Sequence, residues 1–231
     1  MGKIVSVISG CGGVGKSTLA VSAAVISAQK GKSVILLDAA GVSRACDLML
    51  GMESIVVIDM LDVLNHEASL QNALYPVPGI RNLRYASASL YEGSTLSELS
   101  GLILALRTMF DLLIIDLPTG PVRLNPELLD SNDALLLLTR PNDISVRSLE
   151  RTLSAMPDFP AQRHLIINRL DPVLAKKKIH YSAQSVEMML DIPVSCVLNE
   201  DTATISKNRK QEIEVRSAMH SQISRLIDQI L

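Results

Sequence analysis

The chain has 231 residues and a formal net charge of −2, from 22 Lys and Arg against 24 Asp and Glu. Hydrophobic residues make up 48% of the chain and charged residues 20%, which excludes a disordered chain and predicts one domain over residues 1–231. The near-zero charge and an aromatic content of 3% argue against nucleic-acid binding and against sites built on aromatic stacking.

Short apolar runs alternate with helical stretches along the chain, which is typical of βαβ units and a mostly parallel sheet. The predicted fold class is therefore α/β, with three layers in which helices flank the sheet. In chain order we predict strand Lys3–Ser9, helix Ser17–Lys30, strand Ser33–Asp38, helix Val56–Leu64, strand Leu83–Ser87, helix Leu96–Met109, strand Asp111–Asp116, strand Ala134–Thr139, helix Ser145–Met156, strand His164–Asn168, helix Ser182–Leu190, strand Val194–Leu198 and a last amphipathic helix.

A glycine-rich segment lies between the first strand and the first helix. Its residues match the pattern G-x-x-x-x-G-K-[ST]: Gly10-Cys11-Gly12-Gly13-Val14-Gly15-Lys16-Ser17. Glycines allow successive backbone N–H groups to turn toward one anion, and the N-terminus of the following helix adds its dipole. We expect Lys16 to reach the terminal phosphates and the Ser17 hydroxyl to ligate Mg²⁺. The segment predicts a site for ATP or ADP with Mg²⁺.

The part of this loop that ends at Thr18, Gly12-Gly13-Val14-Gly15-Lys16-Ser17-Thr18, resembles the deviant Walker A loop of the MinD/ParA family of P-loop ATPases. The resemblance covers about residues 1–205 and implies a P-loop NTPase fold and a nucleotide-dependent homodimer. Other stretches are similar to MinD, the septum site-determining branch: Leu37-Asp38 with Gly41, Arg44 and Asp47–Gly51, then Val56–Leu74, then FDLLIIDLPTG at Phe110–Gly120.

The resemblance also implies roles for residues at the ends of later strands. Asp116 matches the family's Walker B aspartate and Asp38 ends the second strand, so with Ser17 they are the candidate Mg²⁺ ligands. Lys16, Asp38 and Asp116 are the candidate catalytic residues. The backbone N–H of Gly120 is expected to face the γ-phosphate, and Asn168 and Arg169 fall where the family contacts adenine. For Asp38 and Asn168, a purely structural role at a strand end is the alternative.

Two positions depart from the family pattern. The family has a signature lysine at the second loop position, where this chain has Cys11, and an aspartate in switch I, where it has Ala40. The lysine acts across a dimer on the partner's phosphates, and a neutral thiol cannot supply that charge. We therefore predict weak or lost ATP hydrolysis, with neutral drift in a working ATPase as the alternative. Cys11 itself is interpreted as a small neutral filler rather than a reactive thiol.

The last helix and two basic runs bear on partners and location. The helix carries an apolar stripe but no lysine and no aromatic residue, so we interpret it as a packing helix and expect no direct membrane binding. Lys176–Lys178 and Lys207–Lys210 are interpreted as solvated loops rather than a DNA surface. The N-terminus lacks a secretory pattern and the three cysteines are not paired, which favours the cytoplasm, with a partner for recruitment to the membrane or a cell pole.

The sequence is compatible with three functions. The first is a MinD-like positioning or assembly factor with impaired hydrolysis, serving a division site or the polar placement of a pilus or flagellum through a protein partner. The second is an active MinD/ParA-type ATPase that cycles on a surface. The third is a P-loop enzyme acting on a small metabolite, for which the sequence offers no assignable second pocket. The choice among them rests on family resemblance.

Overall fold

The computed structural model describes residues 1–40, 44–88, 99–120, 129–156, 160–199 and 217–231, with side chains from residue 219 in the last of these. Its centre is an eight-stranded sheet in the order β3-β4-β2-β5-β1-β6-β7-β8. Neighbouring strands are parallel except β3 with β4, which confirms the predicted mostly parallel sheet. The strands are β1 Lys3–Ser9, β2 Val34–Asp38, β3 Tyr75–Pro76, β4 Leu83–Ser87, β5 Leu112–Asp116, β6 Ala134–Thr139, β7 Gln162–Leu170 and β8 Val194–Asn199.

Helices cover both faces of this sheet, as the three-layer prediction requires. Residues of α1 and α8 share one apolar cluster, and residues of α4, α5 and α7 share the other. The helices are α1 Lys16–Gln29, α2 Ala45–Leu50, α3 Met60–Leu64, α4 Ser100–Met109, α5 Asp143–Ser154, α6 Pro172–Lys176, α7 Ala183–Leu190 and α8 Ser217–Ile230, with a 3₁₀ turn at Leu70–Ala73.

The central strands are continuous aliphatic runs because each of their faces meets a helical layer. In β5, Leu112 and Ile114 point into one cluster while Leu113 and Ile115 point into the other. All residues of β2, β5 and β6 are buried. Ile, Leu and Val at successive positions suit a parallel sheet covered on both faces, and aromatic residues are not needed to fill it.

The helix predicted over Val56–Leu64 is wrong in its first half. The helix α3 begins at Met60, since the Asp59 carboxylate accepts hydrogen bonds from the backbone N–H groups of Leu61 and Asp62 and forms an N-cap. The chain before it stays extended because the N–H of Ile58 donates to the Tyr75 hydroxyl at 2.8 Å. The first three residues of the helix predicted over Leu96–Met109 lie outside the described residues, and the helix α4 spans Ser100–Met109. The short elements α2, α6 and β3 were not predicted.

The last helix packs on the body of the protein, as its apolar stripe predicts. Its buried side chains are Ile223, Leu226, Ile227 and Ile230, which join the cluster that contains α1. Lys30, just beyond α1, forms an ion pair with Asp228 at 2.5 Å. The apolar face of α8 is thus already covered. Among the helices in the described part of the chain, none combines the length and hydropathy that crossing a bilayer requires.

Truncating the apolar face of α8 should destabilise the whole fold. Ile227 is fully buried, so we expect Ile227→Ala to lower the free energy of unfolding by about 2–5 kcal/mol. In a chain of this size that corresponds to a fall in Tm of roughly 2–4 °C per kcal/mol. The control is Gln229→Ala on the exposed face of the same helix, and calorimetry is the measurement. Equal Tm values for the two variants would contradict the packing role.

Candidate functional site

The carboxyl ends of the central strands form one edge of the sheet, where parallel α/β folds collect their ligands. Asp38 ends β2 and Asp116 ends β5, and the two residues are register partners in neighbouring strands. A cleft of about 400 Å³ opens at this edge. The residues that line it are Ser9, Cys11, Gly12, Gly13, Gly15, Lys16, Ser17, Thr18, Ala40, Ala45, Met49, Thr119 and Arg169.

Two of the loop glycines are required by close contacts. Gly15 has φ +100°, and a Cβ there would lie 2.4 Å from Nδ2 of Asn168. A Cβ at Gly10 would lie 2.1 Å from the backbone carbonyl carbon of Ser148 in α5. At Gly10 a Cβ would collide with the backbone of α5, and at Gly15 it would meet the Asn168 side chain in a left-handed backbone conformation that favours glycine. The glycine pattern that predicted a phosphate loop therefore also fixes where the loop sits.

Side chains from three neighbouring elements hold the loop. Asn168 Nδ2 donates to the carbonyl oxygen of Val14 at 2.7 Å, and Arg140 Nη2 donates to the carbonyl oxygen of Gly13 at 2.6 Å. The Cys11 thiol lies 3.4 Å from the Ser145 hydroxyl and donates to it. The loop is thus braced from β7, from the end of β6 and from α5.

Lys16 is held inside the protein by an ion pair. Its Nζ lies 2.6 Å from Oδ1 of Asp116, and both side chains are buried. In this arrangement the ammonium group neutralises the Walker B-type carboxylate. Lys16 also lines the cleft, so a phosphate group bound there would meet an ammonium group that is already paired with Asp116.

Asp38 carries a negative charge that its surroundings only partly compensate. Its carboxylate accepts hydrogen bonds from the N–H groups of Ala40 at 3.1 Å and Cys46 at 3.2 Å, and from the Tyr85 hydroxyl at 3.5 Å. Burial, with repulsion from Asp116, nevertheless raises the pKa of the Asp38 carboxyl above its ordinary value. An oxygen of Asp38 lies within 4.8 Å of an oxygen of Asp116. Two carboxylates at this separation favour the binding of a cation.

The donor set fits the predicted Mg²⁺ site. Asp38 and Asp116 supply hard carboxylate oxygens from adjacent strands, and the Ser17 hydroxyl borders the same cleft at the start of α1. The under-compensated charge of Asp38 is the structural observation that favours a divalent cation there. The assignment of Ser17, Asp38 and Asp116 as metal ligands stays a prediction.

Two predicted nucleotide contacts are engaged within the chain. The backbone N–H of Gly120 donates to the carbonyl oxygen of Ser9 at 3.1 Å, so it must be released before it can face a phosphate. The Oδ1 of Asn168 accepts the N–H of Arg169, while its Nδ2 holds the loop as described. Arg169 has φ +57° and lines the cleft. Their adenine contacts stay predictions.

Sequence reasoning missed the contacts that three residues make in this site. Arg140 follows β6 directly, and its place beside the loop could have been inferred from the adjacency of β1 and β6 at the same sheet edge. Tyr85 lies in β4 opposite Leu36 of β2, and no sequence signal pointed it at Asp38. Cys46 belongs to α2, which was not predicted, and its thiol lies 3.5 Å from Asp116 Oδ2. Gly41 and the run Lys207–Lys210 lie outside the described residues.

Known proteins match the chain over most of its length. A ParA family model, described as NUBPL iron-transfer P-loop NTPase, matches residues 1–177. The septum site-determining protein MinD of Helicobacter pylori is 31% identical over 232 aligned residues, which cover 96% of this chain and 87% of that protein. MinD of Thermotoga maritima is 28% identical and covers 86% of this chain and 75% of that protein.

Solved structures share the fold. The MinD chain of the MinC:MinD complex of Aquifex aeolicus superposes with a TM-score of 0.84 at 21% identity, covering 98% of this chain and 95% of that one. MinD of Pyrococcus horikoshii, solved with Mg-ADP, gives a TM-score of 0.79 at 21% identity and covers 100% of this chain and 96% of that one. At such identities the likeness establishes the architecture and not the activity.

Removing the charge of Asp38 should stabilise the ligand-free protein. Because the pKa of Asp38 is raised on folding, its charged form costs stability at neutral pH, and this cost disappears as the pH falls through that pKa. We expect Asp38→Asn to raise Tm at pH 7 above that of the wild type, and the gain to shrink on acidification.

The measurement is calorimetry between pH 8 and the acid limit of the folded protein, without nucleotide. Asp191→Asn, on the turn after α7, is the control for replacing an aspartate elsewhere in the chain. A lower Tm for Asp38→Asn at pH 7, or a gain that does not change with pH, would contradict the electrostatic interpretation.

Proposed function

Because the chain belongs to the ParA family of P-loop NTPases, we propose that it binds ATP or ADP with Mg²⁺ in the cleft at the sheet edge. We propose further that it acts as a MinD-like positioning or assembly factor with weak or lost hydrolysis. The observation that carries nucleotide binding is the braced glycine loop with Lys16 at the start of α1 and Asp116 beneath it. Mg²⁺, held by Ser17, Asp38 and Asp116, would offset phosphate charge.

The loop needs little reorganisation to bind an anion. Its backbone is held from the outside at Val14 and Gly13, which leaves the exposed Gly12 and Gly13 facing the cleft. The dipole of the fourteen-residue helix α1 points into the same space. On nucleotide binding, Lys16 would turn from Oδ1 of Asp116 to phosphate, and that oxygen would become available to the metal ion. Binding thus couples the loop to the end of β5.

Weak hydrolysis is supported by the two departures from the family pattern. Cys11 is neutral and its thiol is hydrogen bonded to Ser145 of its own chain. Ala40 lines the cleft with a methyl group where the family has a carboxylate. The groups that bind nucleotide are kept and the groups that assist turnover are replaced. A MinD-like protein of this kind would act through nucleotide-gated dimerisation or partner docking.

One observation favours the second candidate, an active ATPase that cycles on a surface. The guanidinium group of Arg140 contacts the loop backbone at Gly13, 2.6 Å from its carbonyl oxygen. It is a cation beside the loop that lacks the signature lysine, and arginine is well suited to stabilising phosphoryl charge. Arg140 could therefore replace the missing lysine.

The proposed partners follow from the relatives. The Helicobacter pylori relative is named a septum site-determining protein, and the Aquifex MinD was solved with MinC. We propose a nucleotide-dependent homodimer and a protein partner, with placement of the division site ahead of polar pilus or flagellar placement. Since the apolar face of α8 is buried, recruitment from the cytoplasm to the membrane or a pole would go through that partner.

Nucleotide binding should depend on Lys16. We expect ATP and ADP to bind the protein in the presence of Mg²⁺, and Lys16→Ala to weaken binding at least about 100-fold, or roughly 2.7 kcal/mol. Calorimetric titration measures the affinity, and light scattering in the same samples measures dimer formation. Lys32→Ala, at an exposed position before β2, is the control. Because Lys16→Ala strips a buried carboxylate of its partner, the Tm of each variant is recorded too. Unchanged affinity in folded Lys16→Ala would contradict the site.

Hydrolysis should be slow and should respond to restoring the family residues. We expect steady-state phosphate release below that of an active MinD measured in parallel, and a rise of about tenfold or more in the double variant Cys11→Lys with Ala40→Asp. Each single change should give less, because charge and water orientation are both needed in the transition state.

The same assay separates the two candidate functions. Wild-type turnover equal to that of the active MinD would overturn the proposal of weak hydrolysis. If Arg140→Ala then abolishes that turnover while Arg147→Ala does not, the cycling ATPase with a substituted cation is the function. A double variant without any gain would show that the two replaced residues do not account for slow turnover.

A further inference from the structure

Three buried side chains with metal-binding atoms meet beneath the cleft. Asp38 comes from the end of β2, Cys46 from α2 and Asp116 from the end of β5. One ligand atom of each, a carboxylate oxygen or the thiol sulfur, lies within 4.8 Å of the other two. The residues are 2%, 0% and 0% exposed. The consecutive elements β2 and α2, together with the distant strand β5, therefore present an O, S, O donor set at one point.

We infer that Asp38, Cys46 and Asp116 bind a divalent transition-metal ion of the zinc type in the nucleotide-free protein. Magnesium prefers oxygen ligands and keeps several waters, whereas a sulfur ligand combined with carboxylates suits Zn²⁺ or Co²⁺. Cys46 is the residue that changes the chemistry of the pair of carboxylates, because it adds the soft donor that a magnesium site does not use.

The distance from the sulfur to one carboxylate oxygen suits such an ion. With a metal–sulfur bond of about 2.3 Å and a metal–oxygen bond of about 2.0 Å, the edge of a tetrahedron is about 3.5 Å. The Cys46 Sγ lies 3.5 Å from Asp116 Oδ2. Lys16 occupies the other oxygen, Oδ1, so the ion pair and the metal can use the same carboxylate together. Three protein ligands leave a fourth position for water, as in open zinc sites.

The charge at this point also favours a cation. Two buried carboxylates face one ammonium group, that of Lys16, which already lies 2.6 Å from Asp116. The neutral thiol of Cys46 adds no positive charge. On binding, the Cys46 S–H bond breaks, its proton leaves to solvent, and the sulfur forms a bond to the metal ion. No oxidant or reductant is needed.

Occupation by such an ion would oppose the binding of Mg²⁺ with nucleotide. Asp38 and Asp116 are the carboxylates proposed for magnesium, so one ion excludes the other. This competition rests on the proposed function, but binding of the transition metal to the nucleotide-free chain does not. The two are therefore tested separately.

The test is a titration of the nucleotide-free protein with Co²⁺, which reports its ligands by absorbance. A thiolate ligand gives a sulfur-to-cobalt charge-transfer band, and four-coordinate geometry gives intense visible bands. We expect one Co²⁺ per chain with both features, and Zn²⁺ should displace it. Cys46→Ser should lose the charge-transfer band, and Asp38→Asn should keep the thiol but bind at least about tenfold more weakly.

Cys196→Ser and Cys11→Ser are matched controls, since these are the other two cysteines of the chain. Both should retain the spectrum, and far-ultraviolet circular dichroism should show that every variant is folded. Absence of the charge-transfer band in the folded wild type, or its persistence in Cys46→Ser, would overturn the inference. Failure of ATP to bind would refute the proposed nucleotide function and leave the cobalt result intact.

Discussion

The buried ion pair between Lys16 and Asp116 is the interaction on which the site depends. It ties the first residue of α1 to the last residue of β5, with 2.6 Å between the charged atoms. Two charges taken out of water are stabilising only while they stay paired, so whatever occupies the cleft must provide a substitute for each. Under the proposed function, nucleotide with a divalent cation would do so, with phosphate pairing with the lysine and the metal ion with the carboxylate. The pair is therefore consistent with a ligand that carries both an anion and a cation.

The rest of the site is braced around this ion pair. Asn168, Arg140 and Ser145 hold the loop from three directions, and Gly10 lies against the backbone of α5. The backbone N–H of Gly120 donates to the carbonyl oxygen of Ser9 at 3.1 Å. If a phosphate group took this N–H, as the family resemblance implies, the state of the ligand would be passed to the chain at Gly120.

The sequence predicts the sheet well because every central strand is an apolar run covered on both faces, and burial alone selects such runs. The phosphate loop can be predicted equally well, since glycines followed by Lys16 at this spacing are typical of phosphate binding. Contacts between side chains from different elements cannot be predicted in this way. Nothing in the sequence places Cys46 between Asp38 and Asp116, because this needs the register of β2 on β5 and the short helix α2. The false start of α3 has the same origin, as Tyr75, seventeen residues away from Ile58, decides it.

The two departures from the family pattern can be understood together through their charges. Cys11 stands where the resembled family has a lysine and Ala40 where it has an aspartate, so one positive and one negative charge are lost and the net charge of the cleft is unchanged. Long-range attraction for an anionic ligand depends on that net charge and is preserved. Acceleration of phosphoryl transfer depends on where individual charges stand relative to the reacting atoms, and under the proposed function it would not be preserved. We therefore propose that paired, compensating replacements of this kind keep the ligand and give up turnover.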